Sequence, residues 1–266
     1  MKKTTQICNI TLDAILYSEM LAKVDLWILN KNQRSHHIAT INAFCVSLAL
    51  KNKRLAEIYN SADITGPDGE PFVKWMRRIK HQKADKICAR DTIIYLIKAA
   101  KEKNYSFYLY GGHPDVLESM VTNLKSEYPH INIIGQHSPP FRNLTEEEDS
   151  ELIESINKLK PDIILVGLGT PKQDYWIEDH LYSIKGSVMI TCGATFDFFG
   201  GRVKMAPKWI QNSGFEWLFR LLGKDFKRLW KRYTIGNLIF IWNFILQQIH
   251  LKKYRDLQIK RFDTNF

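Results

Sequence analysis

The chain has 266 residues, of which 45% are hydrophobic and 25% charged, and its 38 Lys and Arg against 28 Asp and Glu give a formal net charge of +10. This composition is typical of one large globular domain, or one domain with an appendage, and excludes a largely disordered or fibrous chain. The four cysteines lie far apart, with no Cys-x-x-Cys pair, which disfavours a zinc site or a disulfide framework and suits a reducing cytoplasm. No apolar run follows the basic N-terminus, so no signal peptide is expected.

The positive charge is concentrated at the C-terminus. Residues 202–266 contain 14 basic and four acidic residues, which accounts for the whole net charge, so residues 1–201 are neutral. We therefore predict two domains, a main domain over residues 1–201 and a basic appendage over residues 202–266. A neutral body with a basic tail favours an anionic partner, either a lipid surface or a nucleic acid.

The first half of the chain alternates strand and helix patterns. Residues 7–30 predict a short strand and then a helix, and residues 36–42 a strand that ends at Thr40 and Asn42, followed by a helix to residue 60. Residues 62–69 predict a strand end and a tight turn, since Pro67-Asp68-Gly69 is strong turn chemistry, and holding this turn is the simplest use of Asp68. Helices are expected over residues 72–80 and 92–103, the second with Asp91 as its N-cap.

The second half continues the alternation. Strands are predicted at residues 106–112, ending in two glycines, and at 131–134, and an irregular loop at 137–142. Thr-Glu-Glu-Glu at residues 145–148 predicts a helix with a capping box. The apolar run 163–166 predicts a strand buried on both faces, and Gly167 and Gly169 then allow a sharp turn or a close approach to a ligand. Thr170 is expected to cap the next helix, and residues 187–192 form the last predicted strand.

This order of elements predicts an α/β fold with a doubly wound, mostly parallel sheet. Four predicted strand ends carry glycine or small polar residues, and in such sheets ligands bind beyond the carboxyl ends of the strands. The Gly-x-Gly-x-x-Gly and Walker patterns are missing from the sequence, which disfavours a dehydrogenase or a P-loop phosphotransferase. No histidine or carboxylate cluster has metal-ligand spacing, so we expect neither a tightly held metal nor another cofactor.

The basic tail contains an amphipathic pattern. Aromatic and aliphatic residues of the stretch 219–233 share one helical face, and this pattern is typical of a helix that lies in the membrane interface. The opposite face carries five expected membrane-binding residues: Arg220, Lys224, Lys227, Arg228 and Lys231. The stretch 235–251 is apolar but too interrupted for a spanning helix, and we expect it to lie in the membrane plane or to pack on the body. Alternatively, the aromatic face packs on the core or a subunit. Nucleic acid is disfavoured because no binding motif accompanies the charge.

Several segments together resemble the WecG/TagA/CpsF family of bacterial glycosyltransferases. They are Thr-Ile-Asn (40–42), Pro-Asp-Gly (67–69), Tyr-Gly-Gly (110–112), Val-Gly-Leu-Gly-Thr-Pro-Lys-Gln-Asp-Tyr-Trp (166–176), Cys-Gly-Ala-Thr-Phe-Asp-Phe-Phe-Gly-Gly (192–201), Ala-Pro-Lys-Trp (206–209) and Glu-Trp-Leu-Phe-Arg-Leu (216–221). Each segment is a weak signal alone, but their order and spacing are specific. The similarity extends over residues 38–233.

The resemblance implies a Rossmann-like fold that uses a UDP-sugar donor, such as UDP-N-acetylmannosamine or a related hexose. The implied acceptor is a sugar on polyprenyl pyrophosphate at the cytoplasmic face of the plasma membrane, in surface polysaccharide or teichoic acid synthesis. Transfer in the family inverts the anomeric centre without a metal. The oligomeric state stays open, with a homo-oligomer as one option.

The same resemblance implies roles for individual residues. Asp68 matches the aspartate proposed in the family as the general base, and an inverting transfer needs one such base. The expected substrate-binding residues are Thr40, Asn42, Gly69, Lys86, Asp91, Gly112, Gly169, Gln173 and Asp197. Two positions depart from the family. Lys86 and Met205 stand where arginines are usual, and a lysine keeps the charge but loses the bidentate geometry. Two alternatives stay open, a nucleotide-sugar epimerase or hydrolase, and a non-catalytic member of a polysaccharide assembly complex.

Overall fold

A computed structural model describes residues 3–31, 34–78, 80, 82–203, 206–207, 210, 219, 230 and 232–254. The five expected membrane-binding residues, from Arg220 to Lys231, and Met205 lie outside the described residues. The chain divides into two compact units. The first contains residues 1–16, 39–88 and 205–266, and the second contains residues 17–38 and 89–204.

The strands occur in the following chain order: β1 (Thr4–Ile7), β2 (Ile10–Asp13), β3 (His36–Ile41), β4 (Ile64–Pro67), β5 (Ser106–Gly111), β6 (Asn132–His137), β7 (Ile163–Gly167) and β8 (Val188–Thr191). The helices up to the C-terminal region are α1 (Tyr17–Leu29), α2 (Ala43–Ala49), α3 (Lys53–Ser61), α4 (Glu70–Arg78), α5 (Ala89–Lys103), α6 (Pro114–Glu127), α7 (Glu146–Leu159), α8 (Lys172–His180) and α9 (Thr195–Phe199). A π-helical turn (Arg232–Gly236) then leads into α10 (Asn237–Gln248).

Six of the described strands form a parallel sheet in the order β4-β3-β8-β7-β5-β6, and β1 and β2 form a separate antiparallel hairpin. Strand β7 is central: Ile163 pairs with Phe107 of β5 on one side and with Val188 of β8 on the other. Its residues Ile163 to Val166 are fully buried, as expected for a strand covered on both faces. The predicted α/β fold with a Rossmann-like parallel sheet and a helical C-terminal region is confirmed.

The strand order creates a switch point between β5 and β7. The chain leaves β5 towards the edge strand β6 but leaves β7 in the opposite direction, towards β8. Right-handed crossovers then put α6 and α8 on opposite faces of the sheet. The carboxyl ends of β5 and β7 therefore flank a crevice of the kind in which doubly wound sheets bind their ligands. Both strands belong to the second unit.

Several local predictions need correction. The N-terminal region forms the β1–β2 hairpin before α1, and the helix expected up to residue 60 is two helices, because Asn52 caps a new one. Helix α5 begins at Ala89, so Asp91 lies in its first turn and is not its N-cap. Thr170 does not cap α8 either, since Pro171 occupies that position without a side-chain bond. The capping box of α7 is confirmed, with Thr145 and Glu148 bonded reciprocally.

In the first unit, α10 packs through aromatic side chains on α4. Phe240 meets Phe72 edge to face at 5.3 Å between ring centroids, and Phe244 meets Trp75 in the same way at 5.2 Å. The exposed residues of this helix are all apolar, and Trp242 among them is 63% exposed. None of the helices in the described residues is both long and apolar enough to span a membrane.

Candidate active site

In the first unit, the predicted site residues lie at or beside the carboxyl ends of β3 and β4. Asn42 comes directly after β3 and is the N-cap of α2, where its Oδ1 accepts hydrogen bonds from the backbone N–H groups of Phe44 (3.1 Å) and Cys45 (3.2 Å). The side-chain oxygen of Asn42 therefore satisfies the helix terminus. This fixes the side chain in one orientation next to Thr40 and leaves its Nδ2 as the group suited to a ligand.

Asp68 and Gly69 form the short connection between β4 and α4. The backbone N–H of Asp68 donates to the carbonyl of Ile41 at 2.7 Å, which ties the end of β4 to the end of β3. The carbonyl of Gly69 accepts from Phe72 and Val73 in the first turn of α4. The Asp68 side chain is half-buried, so it lies at the surface of the unit on a backbone that is held from both sides.

Lys86 lies on an extended segment that runs beside β4. The N–H of Ile87 donates to Pro67 at 3.0 Å, and the N–H of Asp85 donates to Ile15 at 2.9 Å. The approach is close, because a Cβ atom on Gly66 would lie 2.6 Å from the side chain of Ile87. Since Pro67 directly precedes Asp68, these bonds bring Lys86 to the same strand end. The structure thus brings together the five residues expected to act in this unit: Thr40, Asn42, Asp68, Gly69 and Lys86.

In the second unit, glycines line the crevice between β5 and β7. Gly111 has a φ of +117°, and a Cβ atom there would lie 2.6 Å from the backbone carbon of Gly167. Gly112 has a φ of +73° and donates its N–H to the carbonyl of Gly167 at 3.2 Å. These positions need glycine for both conformation and space. By contrast, Gly169 has a φ of +79° and nothing within 4 Å of its would-be Cβ, so its backbone faces open space.

Gln173 joins two of the loops at this edge of the sheet. Its side chain is buried, and its Oε1 accepts hydrogen bonds from the backbone N–H of Gly169 (3.2 Å) and of Gly193 (2.9 Å). Its Nε2 donates to the hydroxyl of Thr170 at 3.3 Å. The loops after β7 and β8 are therefore clamped by one amide. Gln173 shapes the crevice, and direct contact with a ligand is not needed for that role.

Asp197 and Asp91 occupy different surroundings. Asp197 lies in α9 within 3.8 Å of Arg202, and its backbone carbonyl accepts from Val203. The carboxylate of Asp91 pairs with the guanidinium of the adjacent Arg90, with Nη2 at 2.5 Å and Nε at 2.8 Å. Asp197 is connected to the glycine crevice through its neighbour in α9, whereas Asp91 is held by Arg90.

Two residues that shape the crevice were not predicted. Phe196 lies against both glycine strand ends, since a Cβ atom would come within 2.8 Å of its ring at Gly167 and within 3.0 Å at Gly112. Ser138 donates its hydroxyl to the carbonyl of Gly112 at 2.7 Å and links the end of β6 to the end of β5. Phe196 lies in the motif at residues 192–201 and Ser138 in the predicted loop at 137–142. Only the strand order shows which residues they contact.

Two stacked rings of the second unit, Tyr110 and His137, have shifted pKa values. Burial raises the pKa of Tyr110, with smaller contributions from Asp149 and Tyr108, and burial lowers the pKa of His137. Tyr110 packs against Trp176 at 4.4 Å between ring centroids. These rings support β5 from one face. Among the described residues, no three His, Cys, Asp or Glu side chains are grouped so that they could hold a metal ion.

The architecture is that of an α/β enzyme with a parallel sheet and a glycine-lined crevice at a topological switch point. The sequence model of the glycosyl transferase WecG/TagA/CpsF family matches residues 5–254, and the chain belongs to this family. It is therefore a glycosyltransferase.

Curated relatives carry the name N-acetylglucosaminyldiphosphoundecaprenol N-acetyl-beta-D-mannosaminyltransferase. The protein of Bacillus subtilis strain 168 is 29% identical over 195 residues, which cover 73% of each chain. The protein of Staphylococcus aureus strain MW2 is 27% identical over 247 residues, which cover 93% of this chain and 94% of the relative.

Proposed function

We propose that the protein is an inverting, metal-independent transferase that moves N-acetylmannosamine, or a related hexose, from a UDP-sugar to a sugar on a polyprenyl diphosphate. The names of the relatives from Bacillus subtilis and Staphylococcus aureus support the sugar and the lipid-linked acceptor. The product would be an intermediate of a surface polysaccharide or of teichoic acid.

In this proposal Asp68 is the general base. The acceptor hydroxyl oxygen attacks the anomeric carbon, its proton passes to the Asp68 carboxylate, and the bond from the anomeric carbon to the UDP oxygen breaks as UDP leaves. A single displacement inverts the anomeric centre and needs one base and no protein nucleophile. Asn42 and Thr40 would orient the substrate hydroxyl groups through the amide Nδ2 and the threonine hydroxyl.

The leaving diphosphate needs positive charge or N–H donors when no metal is used. We assign the nucleotide to the crevice between β5 and β7, where the backbone of Gly169 faces open space and α6 begins without a side-chain cap. Helix N-termini stabilise phosphate groups. Asp197 of the same unit would contact the nucleotide. In the first unit, Lys86 would be a phosphate-binding cation, the role that the family resemblance implies for an arginine. Asp91 would also contact the substrate, and the substrate would then compete with Arg90 for the Asp91 carboxylate.

The observation that carries the assignment of Asp68 is its backbone anchoring beside Asn42 and Lys86. Asp68→Asn should lower the turnover number about 10²–10⁴-fold with donor and acceptor saturating, because the amide cannot accept the proton. Asp85→Asn is the matched control, since Asp85 lies on the segment of Lys86 but pairs with Arg77 at 3.4 Å, and it should keep nearly full activity. Full transfer by Asp68→Asn would refute the assignment.

We further propose that the protein associates peripherally with the inner face of the plasma membrane through residues 202–266. The exposed apolar side of α10, formed by Leu238, Ile241, Trp242 and Ile245, supports this proposal. The basic residues of the tail would contact anionic headgroups, each contributing about 1 kcal/mol near the surface. Co-sedimentation with vesicles containing anionic lipid should decrease for Ile241→Asp and at high salt. Unchanged sedimentation of both samples would contradict the proposal.

A further inference from the structure

The loop that follows β6 is attached to the nucleotide crevice at one end. Ser138 begins this loop and donates its hydroxyl to the carbonyl of Gly112 at 2.7 Å. Strand β6 pairs with β5 in parallel, so both strands end at the same edge of the sheet. The loop therefore starts beside the glycines of β5, on the side away from β7.

The other end of the loop is fixed to the start of α7. Arg142 forms two hydrogen bonds with Glu148, each 2.6 Å long, and Glu148 also accepts from the backbone N–H of Thr145 in the capping box. Between the two attachment points the chain contains Pro139 and Pro140, whose rings fix the backbone φ angle. The loop is short and held at both ends, so the one residue between the prolines and Arg142 has a defined position.

That residue is Phe141, and its side chain is 89% exposed. Its ring lies 6.2 Å from the ring of His113, at an interplanar angle of 41°. His113 directly follows Gly112, so the two rings lie next to the glycine end of β5. A large aromatic side chain held in solvent on a rigid loop gains nothing from the fold itself. Its position at the ligand-binding edge of the sheet suggests that a planar ligand group covers it.

We propose that Phe141, with His113 beside it, forms the surface on which the base of the donor nucleotide stacks. This proposal rests on the proposed function, which makes the donor a uridine diphosphate sugar. Uracil is the planar aromatic part of that donor, and aromatic side chains stack with any base because every base has a π face. The diphosphate would then lie towards Gly112 and the crevice, and the sugar beyond it. Phe141 would set donor affinity and would take no part in the proton transfer.

The experiment measures binding by calorimetry with UDP and, separately, with inorganic pyrophosphate, which has the phosphates but no base. Phe141→Ala should weaken UDP binding about tenfold, because stacking of a base on an aromatic side chain commonly contributes that much affinity or more. Pyrophosphate binding should be unchanged. Phe141→Trp should restore UDP affinity. Tyr182→Ala is the matched control, because Tyr182 is a 65% exposed aromatic residue of the same unit that follows α8, and it should bind UDP like the wild type.

The outcomes separate this inference from the proposed function. If the wild type binds UDP and Phe141→Ala binds it equally well, base stacking is wrong while the nucleotide donor stands. If Phe141→Ala keeps its UDP affinity but needs more lipid-linked acceptor for transfer, the surface serves the acceptor and the inference is overturned. If the wild type binds no UDP, both proposals fail. Because Phe141 is exposed, its truncation should leave the circular dichroism spectrum and the melting temperature unchanged.

Discussion

The clamp formed by Gln173 gives the sharpest test of how the crevice is built. Gln173→Met keeps a side chain of similar length but removes the acceptor of the Gly169 and Gly193 N–H groups. Each hydrogen bond contributes about 0.5–1.5 kcal/mol net, so losing two should cost about 2 kcal/mol. For a protein of this size that corresponds to a melting temperature about 4–8 °C lower. UDP affinity should also fall, because both glycine loops lose their attachment.

Gln173→Glu is the matched variant, since a carboxylate still offers two oxygens to the same N–H groups. Charge-assisted hydrogen bonds are stronger, which offsets part of the cost of burying the charge. The Glu variant should therefore melt above the Met variant. Thermal unfolding followed by circular dichroism, together with calorimetry using UDP, distinguishes the two. If Gln173→Met melts like the wild type and both variants lose UDP binding, the side chain contacts the nucleotide directly and the clamp argument is refuted.

Two further predictions concern the first unit and the loop of Phe141. Gly66→Ala should push the segment of Lys86 away from β4, because the new Cβ would lie 2.6 Å from Ile87, and it should cost about 1–3 kcal/mol in urea unfolding. Gly69→Ala meets its nearest atom at an ordinary 3.5 Å and should be as stable as the wild type; equal stability of both variants would contradict the close approach. In the loop, bonds from Arg142 and Thr145 lower the pKa of Glu148 from 4.5 to about 2. The folded state thus binds fewer protons than the unfolded state, and the stabilisation is complete above about pH 4.5 and lost as the pH falls towards 2. The stability difference between the wild type and Glu148→Gln should shrink between pH 5 and pH 3, whereas Glu154→Gln, an exposed change later in α7, should show no such trend; a constant difference for Glu148→Gln would refute the assignment.

Each of the two units carries residues with a proposed role. The first carries the base and its neighbours on backbone segments tied by hydrogen bonds, and the second carries the glycine crevice to which we assign the nucleotide. In both units the fixed parts are backbone atoms of strand ends, and this suits a reaction that depends on position. The same device, a side-chain amide that accepts two backbone N–H bonds, occurs at Asn42 and at Gln173.

The sequence by itself determined the local structure and the family. The apolar run of β7 and the capping box at Thr145 follow from residues close together in the chain, and the ordered motifs identified the glycosyltransferase family before any coordinates. Periodicity also predicted most elements. It missed the break at Asn52 and the start of α5 at Ala89, because tertiary contacts choose among several acceptable helix ends.

The tertiary structure alone decided which strand ends become neighbours. Buried parallel strands have the same apolar pattern, so nothing local predicts that β7 lies between β5 and β8. That order puts Gly111 against Gly167, brings Phe196 onto both glycine ends and gives Gln173 its partner Gly193. It also assigned Asn42 a capping role that its motif did not reveal. These contacts join residues that are distant in the chain, and only the packing of the sheet brings them together.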